Sequence, residues 1–241
     1  MNLPKISHPT YPTSIVIGPN NKTIDVVYRP MLVKEEKILL MAKQSTDQAD
    51  FIQAIVQVVN NCIVTCPVPI ESLPLFAVQM LFMKIRIASV GNTVKLSYKD
   101  IEDNQQYDFN VDLNTVDLSK QDADLHKVAV TDKITVLLQY PSVSQYTTPG
   151  VFSKPPTELF EQLLLASMDK IFDAKGDVFV CSQSTPDQLR EFIDDIPSSK
   201  FDQIQNFLRT IPTLQYDIKY KNSKGTERKI ELRTLEDFFT F

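Results

Sequence analysis

The stretch Leu73-Pro74-Leu75-Phe76-Ala77-Val78-Gln79-Met80-Leu81-Phe82-Met83-Lys84-Ile85-Arg86-Ile87-Ala88-Ser89-Val90-Gly91 decides how the rest of the chain must be arranged. Phe76, Ala77, Met80, Leu81, Ile85 and Ala88 recur at helical spacing and leave almost no polar face, the pattern of a helix covered on every side. Ser72 is the expected N-cap, with Pro74 in the first turn, where a missing N–H costs nothing. Gly91 supplies the positive φ that ends the helix. Gln79, Lys84 and Arg86 interrupt the run, so it falls short of the roughly eighteen apolar residues of a membrane span. The reading is a central core helix whose cover must come from the sequence on either side.

Upstream, residues 14–18 and 23–28 are β-branched runs around Gly18-Pro19-Asn20-Asn21, the signature of a hairpin. Pro30 stops the second run ahead of a helix with Leu32, Ile38, Leu39 and Met41 apolar and Lys34, Glu35, Glu36 and Lys37 solvated. A second helix starts near Asp47 and carries Phe51, Ile55, Val58 and Val59 on one face. Downstream, Val94 and Leu96 alternate into a polar turn over 100–106, and Tyr107, Phe109 and Val111 alternate out of it. An apolar strand follows over 134–140, then a helix over 157–172 built on Leu159, Phe160, Leu163, Leu164, Met168, Ile171 and Phe172. Thr185-Pro186-Asp187-Gln188 spells a capping box with proline at the first helical position. Ser198 or Ser199 caps a helix on Phe201, Ile204, Phe207 and Leu208, and strands over 216–220 and 228–232 turn at Asn222-Ser223-Lys224-Gly225.

The expectation is an α+β fold of helical segments with β-hairpins. It divides into an N-terminal helix-hairpin half over 1–140, a linker over 141–156 and a C-terminal helix-hairpin half over 157–241, sharing one body. The halves resemble each other in order: a helix, then a hairpin cornered by Tyr98-Lys99-Asp100 in one and Tyr220-Lys221-Asn222 in the other, with Leu113 and Leu235 each fifteen residues past the corner tyrosine. An ancient duplication and a chance likeness of two common units both fit.

Composition limits what such a chain can be. Its 241 residues are 43% hydrophobic and 23% charged, enough for a core that needs neither disulfide nor metal. A net charge of −5 works against gripping a phosphate backbone. The residues after Met1 form no apolar signal, and three cysteines fit reduced thiols in a cytoplasm, so neither a membrane nor nucleic acid is an expected partner. Five glycines and no phosphate-binding loop, nucleophile elbow or His-Glu-x-x-His leave no catalytic residues to nominate, and no cofactor is expected. Cys62 and Cys66 form C-x3-C, short of a four-ligand zinc site, while Cys181, His8 and His126 are scattered. The adjacent acids Glu35-Glu36, Asp194-Asp195 and Glu236-Asp237 read as solvated helix faces or ends.

The basic residues Arg228 and Arg233, with Lys224 and Lys229, make one modest positive patch beside the aromatic ending Phe238-Phe239-Thr240-Phe241. Apolar ends ordinarily dock internally. The alternative makes Phe238, Phe239, Phe241, Arg228 and Arg233 candidate partner-binding residues, because aromatic and arginine anchors dominate interfaces.

Several strings taken together resemble the baseplate hub assembly proteins of T-even-type, contractile-tailed bacteriophages. They are Tyr28-Arg29-Pro30-Met31-Leu32-Val33-Lys34-Glu35-Glu36-Lys37 with Leu39-Leu40-Met41-Ala42, Asn60-Asn61-Cys62, Leu73-Pro74-Leu75-Phe76, the run from Arg86 to Gly91, Met168-Asp169-Lys170-Ile171-Phe172, Arg228-Lys229-Ile230-Glu231-Leu232-Arg233 and Asp237-Phe238-Phe239. The resemblance implies a late viral protein of tail morphogenesis with no catalytic residues. It would act as an assembly chaperone or hub subunit, in the host cytoplasm during assembly or in the virion tail. Its implied partners are other tail and baseplate hub proteins, the tape-measure protein or further copies of itself. Some relatives carry cysteine pairs at the hairpin corners, and the corners here have none. From the residues alone, a small metal-binding or nucleic-acid-binding regulator using Cys62, Cys66 and the basic hairpin is the alternative.

Overall fold

The computed structural model describes residues 6–45 and 47–239. It opens with the hairpin β1 (Tyr11–Gly18) and β2 (Lys22–Tyr28), paired antiparallel from Tyr11 opposite Tyr28. Asn20 and Asn21 both take positive φ at its turn, a conformation asparagine tolerates. Helices α1 (Val33–Ala42) and α2 (Gln48–Cys62) follow, and β3 (Ile63–Thr65) adds a third strand on β2. Asp47 caps α2 by accepting the Ala49 N–H at 2.9 Å.

The central helix α3 runs Leu75–Val90, with Phe76, Ala77, Val78, Leu81, Phe82, Met83 and Ile85 buried. It begins after Pro74, and Ser72 does not cap it. Ser72 instead closes a preceding 3-10 turn, its hydroxyl donating to the Pro69 carbonyl at 2.7 Å. A proline pushes the residue before it out of the helical region, and Leu73 is accordingly extended. Gly91, at φ 105°, ends the helix as expected.

Beyond α3 lies the hairpin β4 (Thr93–Lys99) and β5 (Gln106–Asp112), then β6 (Asp117–Leu118), β7 (Lys127–Ala129) and β8 (Thr135–Leu138). Helix α4 covers Pro156–Ser167 only, and Met168–Phe172 is the strand β9, paired with β8. The helix expected over 157–172 therefore stops five residues early. The Ser167 hydroxyl bonds back to the Leu163 carbonyl, and the chain beyond it pairs with β8, Val136 opposite Ile171, with Met168 buried. Strand β10 (Val178–Val180) completes the order β10-β9-β8-β7. Helix α5 (Pro186–Asp194) starts with the expected box between Thr185 and Gln188, but α6 (Ser198–Arg209) follows Pro197 with no serine side chain capping it. The hairpin β11 (Leu214–Lys221) and β12 (Glu227–Leu232) pairs with β6 in the order β12-β11-β6, and a single turn, α7 (Leu235–Phe238), follows. This is the expected α+β class: helices beside small antiparallel sheets.

The interior forms two clusters. The first surrounds α3 with β1, β2, α2, β4, β5 and the distant Leu214, Ile218, Leu232, Leu235, Phe238 and Phe239. The second gathers Val136 and Leu138 of β8 with Leu164, Met168, Leu189, Ile204 and Phe207. Tyr140 belongs to both: its ring is edge-on to Phe76 at 5.1 Å and stacked on Phe207 at 5.6 Å. Residues 141–156 carry two 3-10 turns whose Val143 and Val151 are buried.

Phe82 is fully buried, with Phe239 edge-on at 5.7 Å. Phe82→Ala should cost about 3–5 kcal/mol, seen as a lowered urea midpoint with an unchanged slope. A loss below about 1 kcal/mol would show that the site collapses to fill the space.

Candidate functional site

The densest polar constellation joins the tips of two hairpins that lie far apart in sequence. β4 and β5 present the tip 100–105, and β11 and β12 present 222–226. The two corners are built alike. The Asp100 N–H donates to the Gln105 carbonyl, while its carboxylate accepts the Glu102 N–H at 2.8 Å. The Asn222 N–H donates to the Thr226 carbonyl, while its side-chain oxygen accepts the N–H groups of Lys224 and Thr226 at 3.1 and 2.9 Å. Aspartate and asparagine form such turns because their short side chains reach the backbone two residues on.

Each tip then grips the other. The Tyr220 hydroxyl donates to Asp100 at 2.5 Å, and the Arg228 Nε donates to the same carboxylate at 3.0 Å. The Ser223 N–H and hydroxyl both donate to Asp103, at 2.9 and 2.8 Å, and Tyr107 donates to it from its own hairpin. The Asn222 amide donates to Glu102 at 2.7 Å, and the Lys224 ammonium donates to the Glu102 carbonyl. The rings of Tyr107 and Phe109 pack beside Tyr220 at 4.9 and 5.2 Å.

The electrostatics follow from these bonds. The hydrogen bond from Tyr220 is the largest influence on Asp100, and with the Glu102 N–H and Arg228 it outweighs burial and lowers the carboxyl to about 2. Burial and the Asp100 charge push the Tyr220 phenol up to about 12. For Asp103, burial acts upward, but the bonds from Tyr107, the Gln105 N–H and Ser223 prevail and hold it well below the usual carboxylate range. Asp100 and Asp103 stay ionised near neutral pH with their oxygens occupied, so the arrangement fastens two hairpins.

A second polar node sits where the first hairpin meets α1 and α2. Glu35 is fully buried, contrary to its reading as a solvated acid. It accepts from both terminal nitrogens of Arg29 and from the Leu32 N–H at 2.8 Å. Burial raises the Glu35 carboxyl, but these bonds win and lower it. Arg29 also donates to the carbonyls of Pro30 and Asn61 and to the Cys62 sulfur. Burial pushes the thiols of Cys62 and Cys181 up to about 11, so both are protonated near neutral pH. Among the described residues, no three His, Cys, Asp or Glu side chains gather where they could hold a metal ion.

Among the described residues, the candidate partner-binding side chains lie in different surroundings. Arg228 belongs to the clasp. Arg233 pairs with Asp217 at 2.6 Å and lines a cleft between the two clusters. Phe238 is fully buried and Phe239 nearly so, with the Arg86 guanidinium 5.9 Å above the Phe239 ring. Phe241 lies outside the described residues. Asp100, Asp103 and Asn222 were missed as site residues because a polar turn normally points to solvent. Two signals are present: matched corners, and an acid-rich tip able to meet a hairpin that carries Lys224 and Arg228.

Residues 9–240 match the family model described as T4 bacteriophage base plate protein, and the chain belongs to that family. No curated protein and no solved structure matches it. Among the described residues, no helix is long and apolar enough to cross a membrane.

Asp100→Asn removes the charge and keeps a hydrogen-bonding side chain. The Asp100 carboxyl is lowered in the fold from 3.8 to about 2, so its contribution to stability is complete above about pH 4 and is lost as the pH falls through about 2. The gap in urea midpoint between the native chain and this variant should therefore shrink over that window. A gap that stays constant would show that the charge does not stabilise the clasp.

Proposed function

We propose that this base plate protein is a non-enzymatic assembly factor of the baseplate hub, or a structural subunit of it, acting by protein–protein contacts during tail morphogenesis. The observation that carries the reading is the family match over residues 9–240. The state of the ionisable groups supports it: the clasp acids are bonded within the chain, and the buried thiols of Cys62 and Cys181 are held protonated. On this reading the partners are other hub and tail proteins, with the tape-measure protein among the candidates. The protein meets them in the host cytoplasm while tails are being built.

Affinity capture of the tagged chain from infected cells, followed by mass spectrometry, should recover hub or other tail proteins in defined ratio. Purified virions should then contain the chain in a small fixed copy number if it is a subunit, and lack it if it is a chaperone. Recovery of no tail protein in the capture would overturn the proposal.

A further inference from the structure

The cleft between the two clusters has a character that neither the clasp nor the family match uses. It encloses about 530 Å³, with Leu75 and Phe76 of α3 on one side and Phe160, Leu163 and Leu208 of α4 and α6 on the other. A smaller recess of about 120 Å³ shares Leu75, Gln79, Tyr146 and Thr234 with it and extends the apolar floor toward Phe152. Burial pushes the Tyr146 phenol up to about 12, so it stays neutral in this wall.

The charges on the main cleft are one-sided, while the smaller recess beside it carries Glu236. Among the described residues, the charged side chains lining the main cleft are Arg209 and Arg233, on a chain whose net charge is −5. Arg233 is occupied: it donates to the carbonyls of Tyr216 and Leu232 at 3.1 and 3.0 Å, and to Asp217. Arg209 differs. It stands exposed in the last turn of α6, and its one side-chain bond is a long one, 3.4 Å to the side-chain amide oxygen of Gln205. Among the described residues it has no carboxylate partner. An exposed guanidinium at the lip of an apolar cleft recognises a ligand with apolar side chains flanked by a carboxylate, because a charge-assisted bidentate bond there gains strength from the desolvated wall. Two adjoining recesses suit successive side chains of one polypeptide segment.

We infer that this cleft docks an acidic amphipathic segment of a partner protein, its apolar side chains filling the space between Phe76 and Leu208 and its carboxylate meeting Arg209. The inference rests on the reading that the chain acts by protein contacts, and it names the chemistry of one contact. Arg209 also complements the C-terminal end of the α6 dipole, so a purely structural role would appear as lost stability with unchanged binding.

The test uses the full chain and two short fluorescent helical peptides that share a Leu/Phe face, one with glutamates and one with lysines on the polar side, followed by anisotropy. The acidic peptide should bind, and the lysine peptide should bind at least about tenfold more weakly. Arg209→Glu should weaken the acidic peptide by about tenfold or more, and Arg209→Gln should weaken it in the same direction with the melting temperature nearly unchanged. Lys133→Glu, which changes the net charge equally at an exposed turn outside the cleft, should leave binding as it was. Equal binding of both peptides, binding of neither, or an Arg209→Glu loss matched by Lys133→Glu would overturn the inference. So would a dimer of the chain that Arg209→Glu dissolves, since a second copy would then be the occupant. Capture of base plate proteins that survives Arg209→Glu removes the cleft assignment and leaves the assembly role standing. Capture of none by the native chain removes the assembly role itself.

Discussion

A sixteen-residue helix with almost no polar face cannot be satisfied by one neighbour. That constraint on α3 organises the molecule. Its cover comes from α2 and β1 upstream, and from β11 and the rings of Phe238 and Phe239 near the other end of the sequence. Even its cation is used: Arg86 spreads over Phe239 and donates to the Gly91 carbonyl, so the guanidinium borders the core without entering it unpaired. Because stretches separated by more than a hundred residues share one interior, something other than apolar contact has to hold them in register.

Carboxylates do this, and they do it in a consistent way. Asp47 caps α2 and also accepts the Gly150 N–H at 3.0 Å. Asp100 closes its own turn and also takes Tyr220 and Arg228. Asp103 accepts the Gln105 N–H and also takes Ser223. Glu35 caps α1 through Leu32 and also clamps Arg29. Each acid thus links a local bend to a second segment, and a buried charge is tolerable because all its strong acceptor positions are filled. The strings that carry the family resemblance include Arg29, Glu35, Cys62 and Arg228, members of these nodes.

Local signals in the sequence were read well where a single rule operates. The asparagine turn of the first hairpin, the start of α2 near Asp47, the box at Thr185 and Gln188 and the apolar run of α3 each depend on neighbours within a few residues. Apart from the caps expected at Ser72 and at Ser198 or Ser199, where the helices start after Pro74 and Pro197 instead, the departures lie where a distant partner changes the answer. Glu35 looks solvated until Arg29 is known to lie over it, and Met41, read on the apolar face of α1, is 74% exposed because the helix turns Glu35 inward instead. Met168 to Phe172 continues a helical pattern until β8 is there to pair with it. The clasp was half visible. The matched tyrosine corners could be seen, but that one would seize the other is a tertiary fact that no periodicity contains.

The pairing of Leu118 with Leu214 has a consequence for how the chain is made. Strand β6 leaves the first cluster and β11 returns to it, so most of the second cluster is an excursion between two paired strands. On the ribosome, the residues of the second cluster have all been made once α6 is complete, before β11. The earlier-made α3 must wait, with part of its surface wet, until residues 214–239 arrive to close over it. The molecule therefore finishes its oldest core last. A nascent chain halted before β11 would display a hydrophobic face that the completed protein hides, which exposes it to capture by chaperones or proteases before it can ever meet a tail.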